Sequence, residues 1–236
     1  MELLSAEGLV SLLTLTFLEI VLGIDNIVFI SIVSGRLPAA QQGKARNLGI
    51  GLALVVRILL LLAINWIIGL TAPIFTIREF TLSYRDLILI IGGMFLLAKS
   101  TSEMHAKLEG SHDERQVKAM TFKSALIQIV LLDLVFSLDS ILTAVGLVEN
   151  VTIIIIAIVI SLGVMLAFAR RISTFINEHP TMKILAISFL MMIGMVLVIE
   201  GLHVHVPKGY IYFSMAFALG IEILNMKIRK KTVKKV

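Results

Sequence analysis

The chain is a succession of long apolar runs joined by short polar connections, and this pattern restricts its fold more than any other feature. About 20 apolar residues cross a hydrocarbon core roughly 30 Å thick. Seven runs bounded by charge, Pro or Gly meet or approach that length: about 9–33, 48–70, 87–98, 124–147, 151–169, 184–202 and 210–225. The third reaches it only if 83–86 or 99–102 join the run. All four prolines, Pro38, Pro73, Pro180 and Pro207, fall between runs, where they interrupt no helix. No polar remainder is long enough to fold by itself in water. With 58% apolar and 16% charged residues, the chain lies outside the soluble range, which averages about 45–50% and about 25%. These observations predict an all-α membrane protein with seven transmembrane helices, a single polytopic domain over residues 1–236.

Orientation follows from lysine and arginine. The connections after the first, third and fifth runs, with the C-terminal tail, carry Arg36, Lys44, Arg46, Lys99, Lys107, Arg115, Lys118, Lys123, Arg170, Arg171, Lys183 and the six basic residues of the tail. The other side has only Arg78, Arg85 and Lys208. The N-terminus is therefore expected outside the cell membrane and the C-terminus in the cytoplasm. Residues 1–8 hold two acids and no Lys or Arg, unlike the basic start of a secretory signal, so the first run is read as a retained helix. The net charge of +5 needs no nucleic acid, because a basic tail (226–236) on the cytoplasmic membrane surface accounts for it. The absence of cysteine excludes disulfides, thiolate zinc sites and iron–sulfur clusters.

One internal match stands out. LEIVLGIDNIVFI (18–30) aligns without gaps on LDLVFSLDSILTA (132–144). Acid meets acid at Glu19/Asp133 and Asp25/Asp139, and the polar follower matches at Asn26/Ser140. GGMFLLAK (92–99) matches IGMVLVIE (193–200) more loosely, setting Lys99 opposite Glu200. The matched helices begin on opposite sides, which predicts an inverted three-helix repeat (about 9–105 and about 123–206) followed by a seventh helix (about 210–225). Secondary transporters built in this way bind substrate near the midplane between the halves.

The intramembrane acids are the candidate site. A charge at the centre of a membrane helix costs about 2.5–3.5 kcal/mol or more, so Glu19, Asp25, Asp133 and Asp139 together cost on the order of 10 kcal/mol if ionised and unpaired. Glu19 and Asp25 lie about 120° apart on a continuous helix; they converge only if the helix breaks near Gly23, freeing backbone carbonyls. Glu19 and Asn26 share a face, as do Asp133 and Ser140. Oxygens from Glu19, Asp25, Asn26, Asp133, Asp139 and Ser140 would form a hard-cation site suited to Mg²⁺, Ca²⁺ or Mn²⁺. The structural alternative pairs these acids with Arg57, Lys99 or one another as interhelical glue. Arg57 is the best fixed counter-charge; Glu200 and Glu222, near helix ends, are secondary candidates. Asn65 and Gln128 read as interhelical hydrogen-bonders. His203 and His205 would point about 160° apart on a helix and read as interfacial. Glu103, His105, Glu109, His112, Asp113 and Glu114 are either a metal-sensing or gating loop or, more simply, a solvated loop or short amphipathic helix. Met191, Met192 and Met195 read as packing.

Two other classes compete with a carrier. Two intramembrane aspartates could form a proteolytic dyad, but that family's Gly-x-Gly-Asp signature is missing: the contexts are LGID and FSLD. No enzymatic activity is expected. A membrane scaffold or insertion factor, or a metal-homeostasis accessory protein, with purely structural acids is the other.

The motifs E-x-x-x-G-I-D-N (19–26) and D-x-x-x-S-L-D-S (133–140), with GGMFLLAKSTSEMHAKLEG and HVPKGYIYFSMAFALGIEILN, resemble the TerC family of integral membrane proteins. The likeness runs from Glu19 to Asn225. It implies seven helices, kinship with the lysine-exporter superfamily and, for several members, manganese efflux; the family name comes from tellurite-resistance gene clusters. By resemblance, Glu19, Asp25, Asn26, Asp133, Asp139 and Ser140 line a path for Mn²⁺, which is cargo, with no permanently bound cofactor. Ser140 departs from the Asp-Asn pattern yet keeps an oxygen. Tellurite, an oxyanion, suits an acidic lining poorly. The expected partners are a divalent cation and the lipid bilayer; the residues leave oligomeric state and coupling ion open, with proton exchange as the expectation.

Overall fold

The computed structural model describes residues 5–77, 80–108, 120–148 and 150–233. Among these residues eight helices follow one another: α1 (Ala6–Gly35), α2 (Ala39–Leu62), α3 (Ile64–Gly69), α4 (Tyr84–Leu108), α5 (Phe122–Leu147), α6 (Val151–Glu178), α7 (Pro180–Gly201) and α8 (Lys208–Val233). All but α3 are long and apolar enough to cross a membrane, so the seven expected spans are present. The all-α expectation needs one correction. Between α3 and α4 lies an antiparallel hairpin, β1 (Pro73–Ile77) with β2 (Phe80–Ser83). Alternating polar and apolar residues at 80–83 satisfy backbone groups by pairing rather than by helix.

The helix limits differ from the hydropathy limits for a consistent reason. Apolarity ends at the edge of the bilayer, whereas helical hydrogen bonding continues into polar helix-formers. Thus α2 starts at Ala39, well before residue 48, through AAQQGKARN, and α6 runs past 169 to Glu178. The second run stops early: α2 closes at Leu62, and α3 takes the remainder. The weak third span gains both flanks. Its start is set by Ser83 and Asp86: Asp86 N donates to Ser83 Oγ (3.2 Å) and Ser83 N donates to Asp86 Oδ2 (2.8 Å). This is a reciprocal capping box. Ser5, Thr121 and Asn150 cap α1, α5 and α6 through their side chains.

The most extensive helix pairings are α4 with α7, α1 with α6 and α2 with α5. α4 and α7 run antiparallel: Gly201 abuts Asp86 and Ile90, and Gly194 abuts Gly93 and Leu97. Lipid offers no hydrophobic drive between helices, so close backbone approach through small residues supplies much of their attraction. A Cβ on Gly93 would stand 2.6 Å from the Gly194 carbonyl oxygen. Gly93→Val is therefore expected to cost about 1–3 kcal/mol, read as a lower melting temperature in detergent. Gly163→Ala, with nothing within 4 Å, should leave it unchanged or raise it.

Arg36 at the end of α1 meets Glu103 near the end of α4 at 3.3 Å, and Gly35 lies against Asn177 near the end of α6. These ends share one side of the bundle. α8 is the least enclosed span, 11% buried against 61% for α1.

Candidate functional site

The first matched pair of acids is gathered by one guanidinium. Arg57 of α2 is 2% exposed, and Glu19 and Asp133 are each 3% exposed. Arg57 Nη1 donates to Glu19 Oε2 and Nη2 to Asp133 Oδ1, both at 2.9 Å. Ser137 Oγ donates to Asp133 Oδ2 (3.2 Å), and Asn26 Nδ2 donates to Asp133 Oδ1 (3.3 Å). Three helices, α1, α2 and α5, are thereby tied through a planar fork that suits two carboxylates at once.

The second matched pair behaves differently. Asp139 accepts from Arg85 Nη2 at 2.9 Å and is ion-paired with Lys208. Asp25, 7% exposed, has its Oδ1 buried without a hydrogen-bond partner, and so does Asn26 Oδ1. Both residues line an inner cavity of about 60 Å³, with Asp139, Ser140, Glu200, Lys208 and Tyr212 around it. That volume holds a bare ion or a few waters, since one water needs roughly 10–15 Å³ measured in this way. A wider vestibule of about 850 Å³ adjoins it, sharing Leu22, Asp139, Ser140, Glu200, Lys208 and Tyr212. Glu19 lines the vestibule.

Several expectations are corrected. α1 is one continuous helix from Ala6 to Gly35, with no break at Gly23. That glycine is instead a contact point: a Cβ there would lie 2.4 Å from Met165 Sδ of α6. With α1 unbroken, the six candidate residues do not converge on one centre. They form an ion bridge (Glu19, Asp133) and a cavity cluster (Asp25, Asn26, Asp139, Ser140), connected through Asn26. Among the described residues, no three His, Asp or Glu side chains are grouped to hold a metal. Glu200 joins the cavity cluster. Lys99 does not; it lies with Arg36 and Glu103 at the other end. Glu222 lines neither cavity and accepts from Asn225 at 3.5 Å. Gln128 bonds Ser124 within its own helix (3.1 Å). His203 and His205 follow the end of α7 rather than sitting on it, and both line the vestibule. Of the proposed sensing loop, Glu109, His112, Asp113 and Glu114 lie outside the described residues.

Arg85, Asp86, Lys208 and Tyr212 line the vestibule without having been candidates from the acidic motifs, although Lys208 and Tyr212 fall within the stretch HVPKGYIYFSMAFALGIEILN. A signal for two of them exists in the charge map: Arg85 and Lys208 are two of only three basic residues on the charge-poor side, and both serve Asp139.

α7 ends in a Schellman turn, with Val204 N on Ile199 O (3.1 Å) and His203 N on Glu200 O (3.0 Å). His203 occupies the left-handed position usually given to glycine, with φ 64°. Its Nε2 lies 2.8 Å from Asp86 Oδ2, joining the end of α7 to the start of α4. His203→Ala loses that link and keeps the strain; His203→Gly loses the link and sheds about 1–2 kcal/mol of strain. The Gly variant should therefore melt above the Ala variant.

The family model "Integral membrane protein TerC family" matches residues 4–236. The UPF0053 inner membrane protein YgdQ of Escherichia coli (strain K12) is 49% identical over 218 residues, covering 92% of each chain. A UPF0053 protein of Haemophilus influenzae is 48% identical over 226 residues, 95% of each. The UPF0053 inner membrane protein YoaE of E. coli (strain K12) is 48% identical over 225 residues, 94% of this chain but 43% of that longer one. No solved structure matches. With the family matched along almost its whole length and near-half identity to relatives of the same extent, the chain belongs to the TerC family of integral membrane proteins.

Proposed function

We propose that the protein carries a divalent metal cation, Mn²⁺ foremost, across the cell membrane through the inner cavity bounded by Asp25, Asn26, Asp139, Ser140 and Glu200. One observation carries the reading: Asp25 Oδ1 and Asn26 Oδ1 are buried, unpartnered and set at a cavity of ionic size. Leaving a buried acceptor unsatisfied costs about 1–3 kcal/mol, more if charged. A visiting cation offsets that cost. The acidic and amide groups of the lining offer oxygen, the donor set of Mn²⁺, Mg²⁺ and Ca²⁺. The relatives' names specify no substrate, so the metal rests on this chemistry and on the family resemblance.

The inverted repeat is part of the proposal. Exchanging α1 with α5, α2 with α6 and α4 with α7 turns the α1–α6 pairing into α5–α2 and leaves α4–α7 on itself; these are the leading helix pairs. Gly93 and Gly194, equivalent in the sequence match, touch one another, as residues on a pseudo-two-fold axis would. Such a repeat supports alternating access. The N-terminus outside, the cytoplasmic basic tail, residence in the plasma membrane, export as the direction and proton exchange as the drive complete the hypothesis.

The scaffold reading draws on a different observation: Glu19 and Asp133 are both bonded to Arg57, and that bridge needs no cargo. The two readings part on Asp25. Cells expressing the protein should hold less manganese than cells expressing Asp25→Asn; equal manganese would remove the carrier reading.

A further inference from the structure

Asp139 and Asp25 are equivalent in the repeat but unequal in the fold. Asp139 commits Oδ1 to Arg85 and Oδ2 to Lys208, whereas Asp25 Oδ1 has no partner. Of these two cations, only Lys208 lines the inner cavity; Arg85 borders the vestibule alone. The other cation at the inner cavity is Arg57, already engaged by Glu19 and Asp133. Against three carboxylates there (Asp25, Asp139 and Glu200), Lys208 is thus the lining cation not held by the ion bridge, while Arg85 reaches Asp139 from the vestibule side.

Lys208 sits on the span most lightly packed against the bundle. It is the first residue of α8, and residues 204–207 before it are neither helix nor strand. Tyr212, one turn further along the same face, lines both cavities with it. Lys208 and Tyr212 thus stand where the inner cavity meets the vestibule. An ammonium on a flexible stem is a compact charge that can leave and return, unlike the two-pronged grip of a guanidinium.

We propose that Lys208 is a tethered cation occupying the acidic cavity in place of cargo, and that α8 is the lid that withdraws it. This rests on the metal-cation reading. Withdrawal uncovers Asp139 Oδ2 beside the free oxygens of Asp25 and Asn26 and leaves the cavity one positive charge short. A divalent ion entering restores that charge with one to spare. Return of the ammonium competes the ion away, so release needs no separate ligand.

The chain contains no cysteine, so Ile193→Cys places a single thiol at the inner cavity, on a residue 8% exposed. In metal-free detergent solution, methanethiosulfonate labelling of Ile193→Cys should be slow. Adding Lys208→Met should speed it by about tenfold through a larger open population, and Lys208→Arg should keep it slow. Equal rates with Lys and Met overturn the lid whatever the cargo. In parallel, Mn²⁺ titration should show Lys208→Met binding about tenfold tighter than the unaltered protein, because the closed state no longer taxes binding. Unchanged or weaker binding overturns competition by Lys208 while the metal reading stands. No Mn²⁺ binding to either protein overturns the metal reading and the competition with it.

Discussion

Arg57→Met is expected to destabilise the protein by about 3–5 kcal/mol, the cost of removing one partner from a buried ionic cluster. The guanidinium is the sole basic group hydrogen-bonded to both Glu19 and Asp133 among the described residues, at 2.9 Å from each. Without it, two carboxylates face each other inside the membrane span with no cation between them. Thermal denaturation in detergent, or the fraction of monodisperse protein after mild heating, measures the loss. Arg57→Lys would keep only part of the stability, since a point charge cannot hold two carboxylates as a fork does. The decisive control is the triple variant Glu19→Gln, Arg57→Met, Asp133→Asn. Removing all three charges removes the penalty along with the attraction, so it should recover most of the stability. If the triple variant is as unstable as Arg57→Met, the loss comes from packing around the Arg57 stem and not from charge.

On the proposed carrier reading, Asp25→Asn should do the reverse: abolish cation binding and spare the fold. Asp25 Oδ1 accepts no hydrogen bond in the structure, so an amide there breaks no hydrogen bond at that oxygen and removes a buried acid, and the melting temperature should hold or rise. Mn²⁺ affinity should fall by more than the roughly 10–100-fold that even an outer-shell partner contributes at metal sites. Asp133→Asn is the contrast. It weakens the anchor of Arg57, Ser137 and Asn26 and should lower stability first, with transport lost as a consequence. Measuring binding and melting on the same samples separates the two. If Asp25→Asn binds Mn²⁺ as the unaltered protein does, the inner cavity is not the cargo site.

The matched motifs made the acids visible in sequence, and Arg57 was readable as their counter-charge because it is the basic residue set inside an apolar run. How the acids divide was not readable. Helical spacing posed a choice between a broken α1 and a split site, and the fold decides it: α1 runs unbroken from Ala6 to Gly35, with Met165 of α6 packed beside Gly23. That glycine serves helix packing. Lys208 was likewise visible as a rare charge on the poor side, but its partner lies 69 residues away in α5, and no local pattern links the two. The hairpin was missed because β1 and β2 are short and pair only with each other.

What the sequence determined by itself is what the bilayer imposes. Backbone groups in lipid must be satisfied within each span, so length and apolarity alone dictate seven helices, and the rarity of buried charge singles out the acids. What only the tertiary structure decided is which acid meets which cation. Helices can turn about their axes and slide without changing their hydropathy. Close approaches at Gly23, Gly93 and Gly194 set those rotations, and the rotations leave Glu19 and Asp133 on Arg57, Asp139 under Lys208, and Asp25 facing an open cavity.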